Sequence, residues 1–168
     1  MTRVPDAPAP TVLIVQHDAL VAMLLEDTLA GAGYRTVWSP DGRRMAPAHA
    51  GPAPAVVAPC AAVVDLRLGG GVDGRGVLRR LRERHPALPV VAVTGFEPQA
   101  PEADLRGLGG PIARMGKPFD RDEFLDCLAG VLNAHQAAAM RAGPHRRASD
   151  AAATGPTRGR AGRRHPPA

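Results

Sequence analysis

Five short, largely apolar runs recur along the first two thirds of this 168-residue chain. They are rich in Val, Leu, Ile and Ala and show little polar alternation, a pattern typical of strands that helices cover on both faces. The runs predict strands at these positions: Thr11–Val15, Arg35–Trp38, Cys60–Asp65, Pro89–Val93 and Pro111–Gly116.

Apolar residues at helical spacing separate these runs. Three stretches have a continuous apolar face: Val21, Leu24, Leu25, Thr28 and Leu29 in the first, Val77, Leu78 and Leu81 in the second, and Phe124, Cys127, Leu128, Val131 and Leu132 in the third. Asp120 can cap the third of these predicted helices, and Glu123 lies three residues after it, the spacing of a capping box. Shorter patterns predict further helices over Asp41–His49 and Pro98–Leu108.

The alternation of strands and helices predicts an α/β fold, a doubly wound five-stranded parallel sheet with helices on both faces. We expect it to occupy residues 11–134 as one domain. Residues 1–10 are rich in proline and predict a disordered leader. Residues 135–168 are Ala, Gly, Pro, Arg and His with few large apolar side chains, and they predict a disordered basic tail.

The net charge of +5 is unevenly distributed. The predicted tail holds seven arginines against one acid, Asp150, so the predicted domain is close to neutral. The sequence contains two cysteines, Cys60 and Cys127, which fit buried free thiols in a reducing cytoplasm. No run is long enough for a membrane span, and we expect neither export nor a membrane partner.

Polar side chains follow four of the predicted strands. They are Gln16, His17 and Asp18 after the first, Asp65 at the end of the third, Thr94 after the fourth and Lys117 after the fifth. Ligands of open parallel sheets bind beyond the carboxyl ends of the strands, so we expect these residues to share one crevice. A carboxylate, a hydroxyl and an ammonium group together suit phosphoryl transfer.

Four motifs carry a resemblance to a known family: VLIVQHD, VVDLRLGGGVDG, VVAVTGF and GKPFDRDEFLDCL. They resemble the receiver domain of response regulators over residues 11–134. The resemblance implies a flavodoxin-like sheet of strand order 2-1-3-4-5. It also implies a cytoplasmic phosphorelay protein that carries an aspartyl phosphate, a signalling domain rather than a conventional enzyme.

Residue by residue, the resemblance implies that Asp65 is the phosphoacceptor, Thr94 the switch hydroxyl and Lys117 the conserved-type lysine, with a cis bond between Lys117 and Pro118. The implied partners are a histidine kinase or phosphotransfer protein, which donates the phosphoryl group, and a downstream protein target.

Three positions depart from the family pattern. The family has two acids at the end of the first strand that hold Mg²⁺ with the phosphoacceptor, and here these positions are Gln16 and His17. The remaining candidate ligands are Asp65, the backbone carbonyl of Arg67, Asp18 and His17. Mg²⁺ prefers oxygen ligands, so we expect its binding to be weakened or lost. Arg114 occupies the position of the usual switch aromatic.

Two other functions remain open. The departures favour a pseudo-receiver, which has the same fold, takes no phosphoryl group and acts as a protein-interaction module. The basic tail could instead bind nucleic acid, but it has no aromatic residue for base stacking, so we do not expect this. Glycines 69–71 lack a following Gly-Lys-Ser/Thr and predict a loop after the third strand rather than a nucleotide cradle.

Overall fold

The computed structural model describes residues 9–43 and 58–142. Each of the five strands lies within one residue of its predicted bounds. In chain order the elements are β1 (Thr11–Val15), α1 (Ala19–Gly31), β2 (Arg35–Ser39), β3 (Ala61–Asp65), α2 (Gly74–Arg84), β4 (Val90–Thr94), a 3₁₀ turn (Pro101–Ala103), β5 (Ile112–Gly116) and α3 (Arg121–Ala142).

The strands form one parallel sheet in the order β2-β1-β3-β4-β5, which confirms the predicted fold class and strand order. Strand β3 lies at the centre, with β1 and β4 as its neighbours. The residues of β1, β3 and β4 are all buried, as expected for strands with helices on both faces. The central position of β3 places its last residue, Asp65, in the middle of the carboxyl edge.

The alternation of side chains along each strand divides the interior into two cores. On one face, Leu13, Val15, Ala62, Val64, Val90 and Ala92 pack against Val77, Leu78 and Leu81 of α2. On the other face, Val12, Ile14, Ala61, Val63, Val91 and Val93 pack against Leu25 and Leu29 of α1 and against Phe124, Leu128 and Val131 of α3. The largest buried side chain is Phe124, so the core rests mainly on Val and Leu.

The predicted cap of the last helix is confirmed. The backbone N–H of Glu123 donates to Asp120 Oδ1 at 2.8 Å, and the backbone N–H of Asp120 donates to Glu123 Oε2 at 3.3 Å. These reciprocal bonds form a capping box, which satisfies two donors at the start of the helix. Helix α3 therefore begins directly after the loop that carries Lys117.

The predicted helix over Pro98–Leu108 was wrong, because the structure has only the 3₁₀ turn Pro101–Ala103 there. Pro98 and Pro101 cannot donate backbone hydrogen bonds to a helix. Downstream, Gly107, Gly109 and Gly110 have φ values of +77°, +66° and +63°, which no regular right-handed helix contains. The apolar spacing of this segment instead supplies loop residues, among them Leu105 and Leu108, that cover the core on the α2 face.

Helix α3 continues to Ala142, eight residues past the predicted domain boundary at 134. The added residues are rich in Ala, which has the highest helix propensity, and Gly143 and Pro144 follow in the sequence. Disorder was predicted here because alanine side chains bury little surface. The high helix propensity of alanine outweighs this in residues 135–142. The rest of the predicted tail, most of the leader and most of the predicted helix Asp41–His49 lie outside the described residues.

Both cysteines are free thiols and half-buried. Burial raises the pKa of the Cys60 and Cys127 thiols above its usual value, which makes them poor nucleophiles at neutral pH. Among residues 9–43 and 58–142, no helix combines the length and the apolarity that crossing a membrane requires.

One arginine of α2 joins two loops at the amino end of the sheet, the α2–β4 loop and the β4–β5 loop. The Arg82 guanidinium donates to the carbonyl oxygens of Leu108, at 3.2 Å, and Pro111, at 3.0 Å, and also to those of Pro86 and Leu88. Burial lowers the pKa of this guanidinium from its usual value. A Cβ at Gly110 would lie 2.5 Å from Arg82 Cζ, so the glycine leaves room for the group.

We expect Arg82→Met to lower the free energy of unfolding by about 2–3 kcal/mol, because it leaves several loop carbonyls without their charged donor. Arg82→Lys should recover only part of the loss, since an ammonium group cannot match the planar fork. Urea unfolding measures both, with exposed Arg80→Met as the matched control. Equal stability of the Arg82 and Arg80 variants would contradict this role.

Candidate active site

The carboxyl edge of the sheet gathers the predicted site residues. Gln16 follows β1, Asp65 ends β3 and Thr94 ends β4, and each is only 1% exposed. Lys117 follows β5 directly. Buried polar groups at three neighbouring strand ends are unusual in a core made of Val, Leu and Ala, and they mark this edge as the candidate site.

Asp65 is held through both carboxylate oxygens, and its side chain is 0% exposed. Oδ1 accepts a 2.8 Å hydrogen bond from the backbone N–H of Arg67, and Oδ2 accepts a 2.7 Å hydrogen bond from Lys117 Nζ. His17 Nδ1 lies 3.5 Å from the same Oδ2, at the more exposed side of the site. The carboxylate is thus charge-paired and fixed in one orientation.

Lys117 is the one lysine in the sequence. The other residues among the 21 Lys and Arg are all arginines. Its backbone N–H donates to the Thr94 carbonyl at 2.8 Å, which links the ends of β4 and β5. The Lys117–Pro118 peptide bond is cis, as the family resemblance implied. A compact ammonium group is therefore used at the position beside Asp65, and arginine everywhere else.

Thr94 presents its hydroxyl at the end of β4. Oγ1 accepts a 2.9 Å hydrogen bond from the backbone N–H of Phe96, which leaves the hydroxyl proton available to a ligand. The same loop is held by Arg114, whose Nη1 donates to the Pro98 carbonyl at 2.9 Å. Arg114 is exposed and does not join the buried group at Asp65.

The residues after β1 form a second set of contacts. Gln16 Oε1 accepts a 3.0 Å hydrogen bond from the Asp18 backbone N–H, and the Gln16 carbonyl accepts one from Trp38 Nε1 at 2.7 Å. Asp18 Oδ1 caps α1 by accepting from the N–H groups of Leu20 and Val21. The Asp18 carboxylate is therefore engaged at the helix start.

These side chains do not fit a Mg²⁺ site. Mg²⁺ requires several oxygen ligands, and the described residues contain no cluster of three or more His, Cys, Asp or Glu side chains that could hold a metal. Asp65 is the one carboxylate in the buried group, and Lys117 already neutralises it. Gln16 Nε2 is a donor that has no hydrogen-bond partner among the described residues, and a donor repels a cation.

Three contributors to the site went unnoticed in the sequence. The Arg67 guanidinium lies over the Phe96 ring, 5.1 Å from its centroid, and joins the loops after β3 and β4 by a cation–π contact. Trp38 supports Gln16 from β2. A Cβ at Gly74 would overlap the Asp65 carbonyl oxygen, so this glycine allows α2 to begin against the site. The Asp73-Gly74 pair before an apolar helix was an available signal for the last of these.

No protein-family model matches the chain. A response regulator receiver protein of Anaeromyxobacter sp. strain Fw109-5 is 36% identical over 117 residues, which are 68% of this chain and 42% of that protein. The C4-dicarboxylate transport transcriptional regulatory protein DctD of Pseudomonas aeruginosa is 33% identical over 121 residues, 72% of this chain and 25% of that protein. The chain thus matches less than half the length of either relative.

A solved structure extends the comparison to the fold. The receiver domain of the sensor histidine kinase PA1611 from Pseudomonas aeruginosa, which has a magnesium ion coordinated in its active site cleft, superposes with a TM-score of 0.57 at 22% identity. The match covers 74% of this chain and 98% of that domain. Sequence relatives and fold agree, and the chain belongs to the family of response regulator receiver domains, the CheY-like signalling modules of two-component systems.

Proposed function

We propose that this chain is a response regulator receiver whose Asp65 accepts a phosphoryl group from a histidine kinase or phosphotransfer protein. The observation that carries the proposal is the buried Asp65 carboxylate, fixed by Lys117 Nζ at 2.7 Å beside the end of β4, where Thr94 has a hydroxyl proton to donate. Two free cysteines support the further proposal that the protein acts in the cytoplasm.

The proposed reaction is an in-line displacement at phosphorus. A carboxylate oxygen of Asp65 forms the new O–P bond while the P–N bond of the donor phosphohistidine breaks. The electron pair of that bond goes to the imidazole nitrogen, which takes a proton from solvent. Lys117 neutralises charge on the transferred oxygens, and the Thr94 hydroxyl can donate to one of them.

The binding of Mg²⁺ is proposed to be weakened or lost in this receiver. The PA1611 receiver domain holds the ion in its cleft, but here Gln16 and His17 stand at the end of β1 and Asp18 is occupied as a helix cap. Replacing two carboxylates by a carboxamide and an imidazole removes the negative charge that attracts a dication. No step of the proposed transfer depends on the ion.

The proposed output is a change of the β4–β5 loop that a downstream protein reads. If Thr94 Oγ1 turns to a phosphoryl oxygen, its bond with the Phe96 N–H is strained or lost. The same loop contacts Arg114 through the Pro98 carbonyl, so movement of the loop alters the position of an exposed cation. Arg114 would then signal by charge where other receivers are expected to use an aromatic ring.

The proposal is tested by intact mass measurement after incubation with acetyl phosphate and Mg²⁺. We expect the natural chain to gain one phosphoryl group, Asp65→Ala to gain none, and the control Asp27→Ala, an exposed site in α1, to behave like the natural chain. Absence of any gain, with Mn²⁺ or with phosphorylated histidine kinases as donors, would overturn the proposal. A gain that persists in Asp65→Ala would overturn the role of Asp65.

A second candidate function is a pseudo-receiver that binds partners without phosphorylation. Gln16 favours it, because a buried carboxamide stands where a metal ligand is expected, and so does the exposed Arg114. The paired Asp65 and Lys117 oppose it, since an unused buried charge pair is costly to maintain. The mass measurement separates the two candidates directly.

A further inference from the structure

The end of β1 contains a hydrogen-bond donor that the fold does not use. Gln16 is 1% exposed, and its Oε1 accepts from the Asp18 backbone N–H. Its Nε2 has no partner among the described residues. Buried side-chain amides normally satisfy their donors, so an unsatisfied N–H₂ group at a candidate active site points to a ligand that binds there.

The strand register places this amide beside Asp65. Val15 of β1 pairs with Val64 of β3, so the next residues along the two strands, Gln16 and Asp65, are neighbours across the sheet. Side chains on adjacent parallel strands at such positions lie about 5 Å apart. The donor and the proposed phosphoacceptor therefore share one part of the carboxyl edge.

The charge of the site also favours an anion. The charges of Asp65 and Lys117 cancel, and the buried group contains no second carboxylate that would require a cation. The aspartyl phosphate carries close to two negative charges, where the free Asp65 carboxylate carries one. The ligand that the site then lacks is a further hydrogen-bond donor. Gln16 Nε2 is a buried donor at this edge that has no hydrogen-bond partner among the described residues.

We propose that Gln16 is an oxyanion ligand of the phosphoryl group on Asp65, and that its Nε2 takes the place that a metal ion would otherwise fill. The aspartyl phosphate then forms and persists without a divalent cation. This inference rests on the proposed function and specifies how that site works. Its step is the same displacement on Asp65, with the amide donating to a transferred oxygen throughout.

The isosteric variant Gln16→Glu tests the inference. Glutamate keeps the acceptor for the Asp18 N–H but replaces the Nε2 donor by a negative oxygen. In buffer freed of divalent ions, we expect its phosphorylation by acetyl phosphate to be at least about tenfold slower than that of the natural chain. Adding Mg²⁺ should accelerate the variant and leave the natural chain unchanged. Gln136→Glu, exposed near the far end of α3, is the matched control.

Trp38 gives a second readout that needs no phosphoryl donor. It is the one tryptophan in the sequence, and its Nε1 donates to the Gln16 carbonyl. Titration with Mg²⁺ alone should change the fluorescence of Gln16→Glu in a saturable manner and leave that of the natural chain and of Gln136→Glu unchanged.

The outcomes separate this inference from the proposed function. Phosphorylation of the natural chain that requires Mg²⁺, or equal metal-free rates for the natural chain and Gln16→Glu, would overturn the inference while the role of Asp65 stands. A saturable Mg²⁺ response of the natural chain would also count against it. No phosphorylation in any buffer would overturn the proposed function, and this inference with it.

Discussion

Replacing Lys117 by methionine is expected to lower the free energy of unfolding by about 3 kcal/mol and to slow phosphoryl transfer to Asp65 by about a hundredfold. The Asp65 side chain is 0% exposed, and Lys117 is the cation in direct contact with it. Without the ammonium group the buried carboxylate keeps its bond from the Arg67 N–H but loses its counter-charge. The same cation is the group proposed to neutralise the transferred phosphoryl oxygens.

A double variant identifies the cause of the instability. Asp65→Asn combined with Lys117→Met removes both charges, so its stability in urea should return close to that of the natural chain. Lys117→Arg keeps the charge but brings a larger, planar group, and we expect its phosphoryl transfer to stay as slow as that of Lys117→Met. The control is Arg79→Met, which removes an exposed cation from α2. If Lys117→Met and Arg79→Met were equally stable, the ion pair of Asp65 and Lys117 would not be what stabilises the fold at this site.

Gly74→Ala is expected to destabilise the fold by about 3 kcal/mol, close to the upper range for overpacking. A Cβ at this position would overlap the Asp65 carbonyl oxygen and lie 2.5 Å from Leu66 Cα. These are backbone atoms at the end of β3 and at the start of the loop after it, and they cannot rotate aside. The first turn of α2 would have to move away, and Asp65 with it, so we also expect slower phosphorylation.

Gly76→Ala is the matched control because it lies two residues later in the same helix. Outside the helix backbone, the atom nearest to a Cβ at this position would be Asp73 Oδ2, at 3.6 Å. An alanine inside a helix is favoured over glycine, so this variant should be more stable by about 0.5–1 kcal/mol. Urea unfolding of the pair measures the contrast. A Gly74→Ala protein as stable as the natural chain would show that α2 does not press against the site as described.

The strands and their carboxyl edge were predictable from the sequence because each run is short, apolar and followed by polar residues. The parallel fold brings such strand ends together, so the sequence alone assigns Asp65, Thr94 and Lys117 to one crevice. Gln16 was recognised as a departure from the family pattern. The lack of a partner for its amide nitrogen depends on the positions of neighbouring loops and became visible only in the structure.

The remaining errors have physical causes that sequence patterns do not record. The segment 98–108 has the spacing of a helix, but it contains two prolines, and three glycines at positive φ lie at its end and just beyond it, so it forms a loop. Helix α3 passes residue 134 because alanine favours helix even where it buries little surface. Arg82 binds carbonyls from 4 to 29 residues away in sequence, and no local pattern encodes such contacts.

The most direct test of the account is to locate the phosphoryl group chemically. Borohydride reduces an aspartyl phosphate to homoserine, and trypsin releases residues 45–67 as a peptide whose one acidic residue is Asp65. After treatment with acetyl phosphate, we predict homoserine at position 65 in this peptide and an unmodified peptide of residues 4–35, which contains His17 and Asp18. Modification confined to residues 4–35, or an unmodified Asp65, would contradict the account.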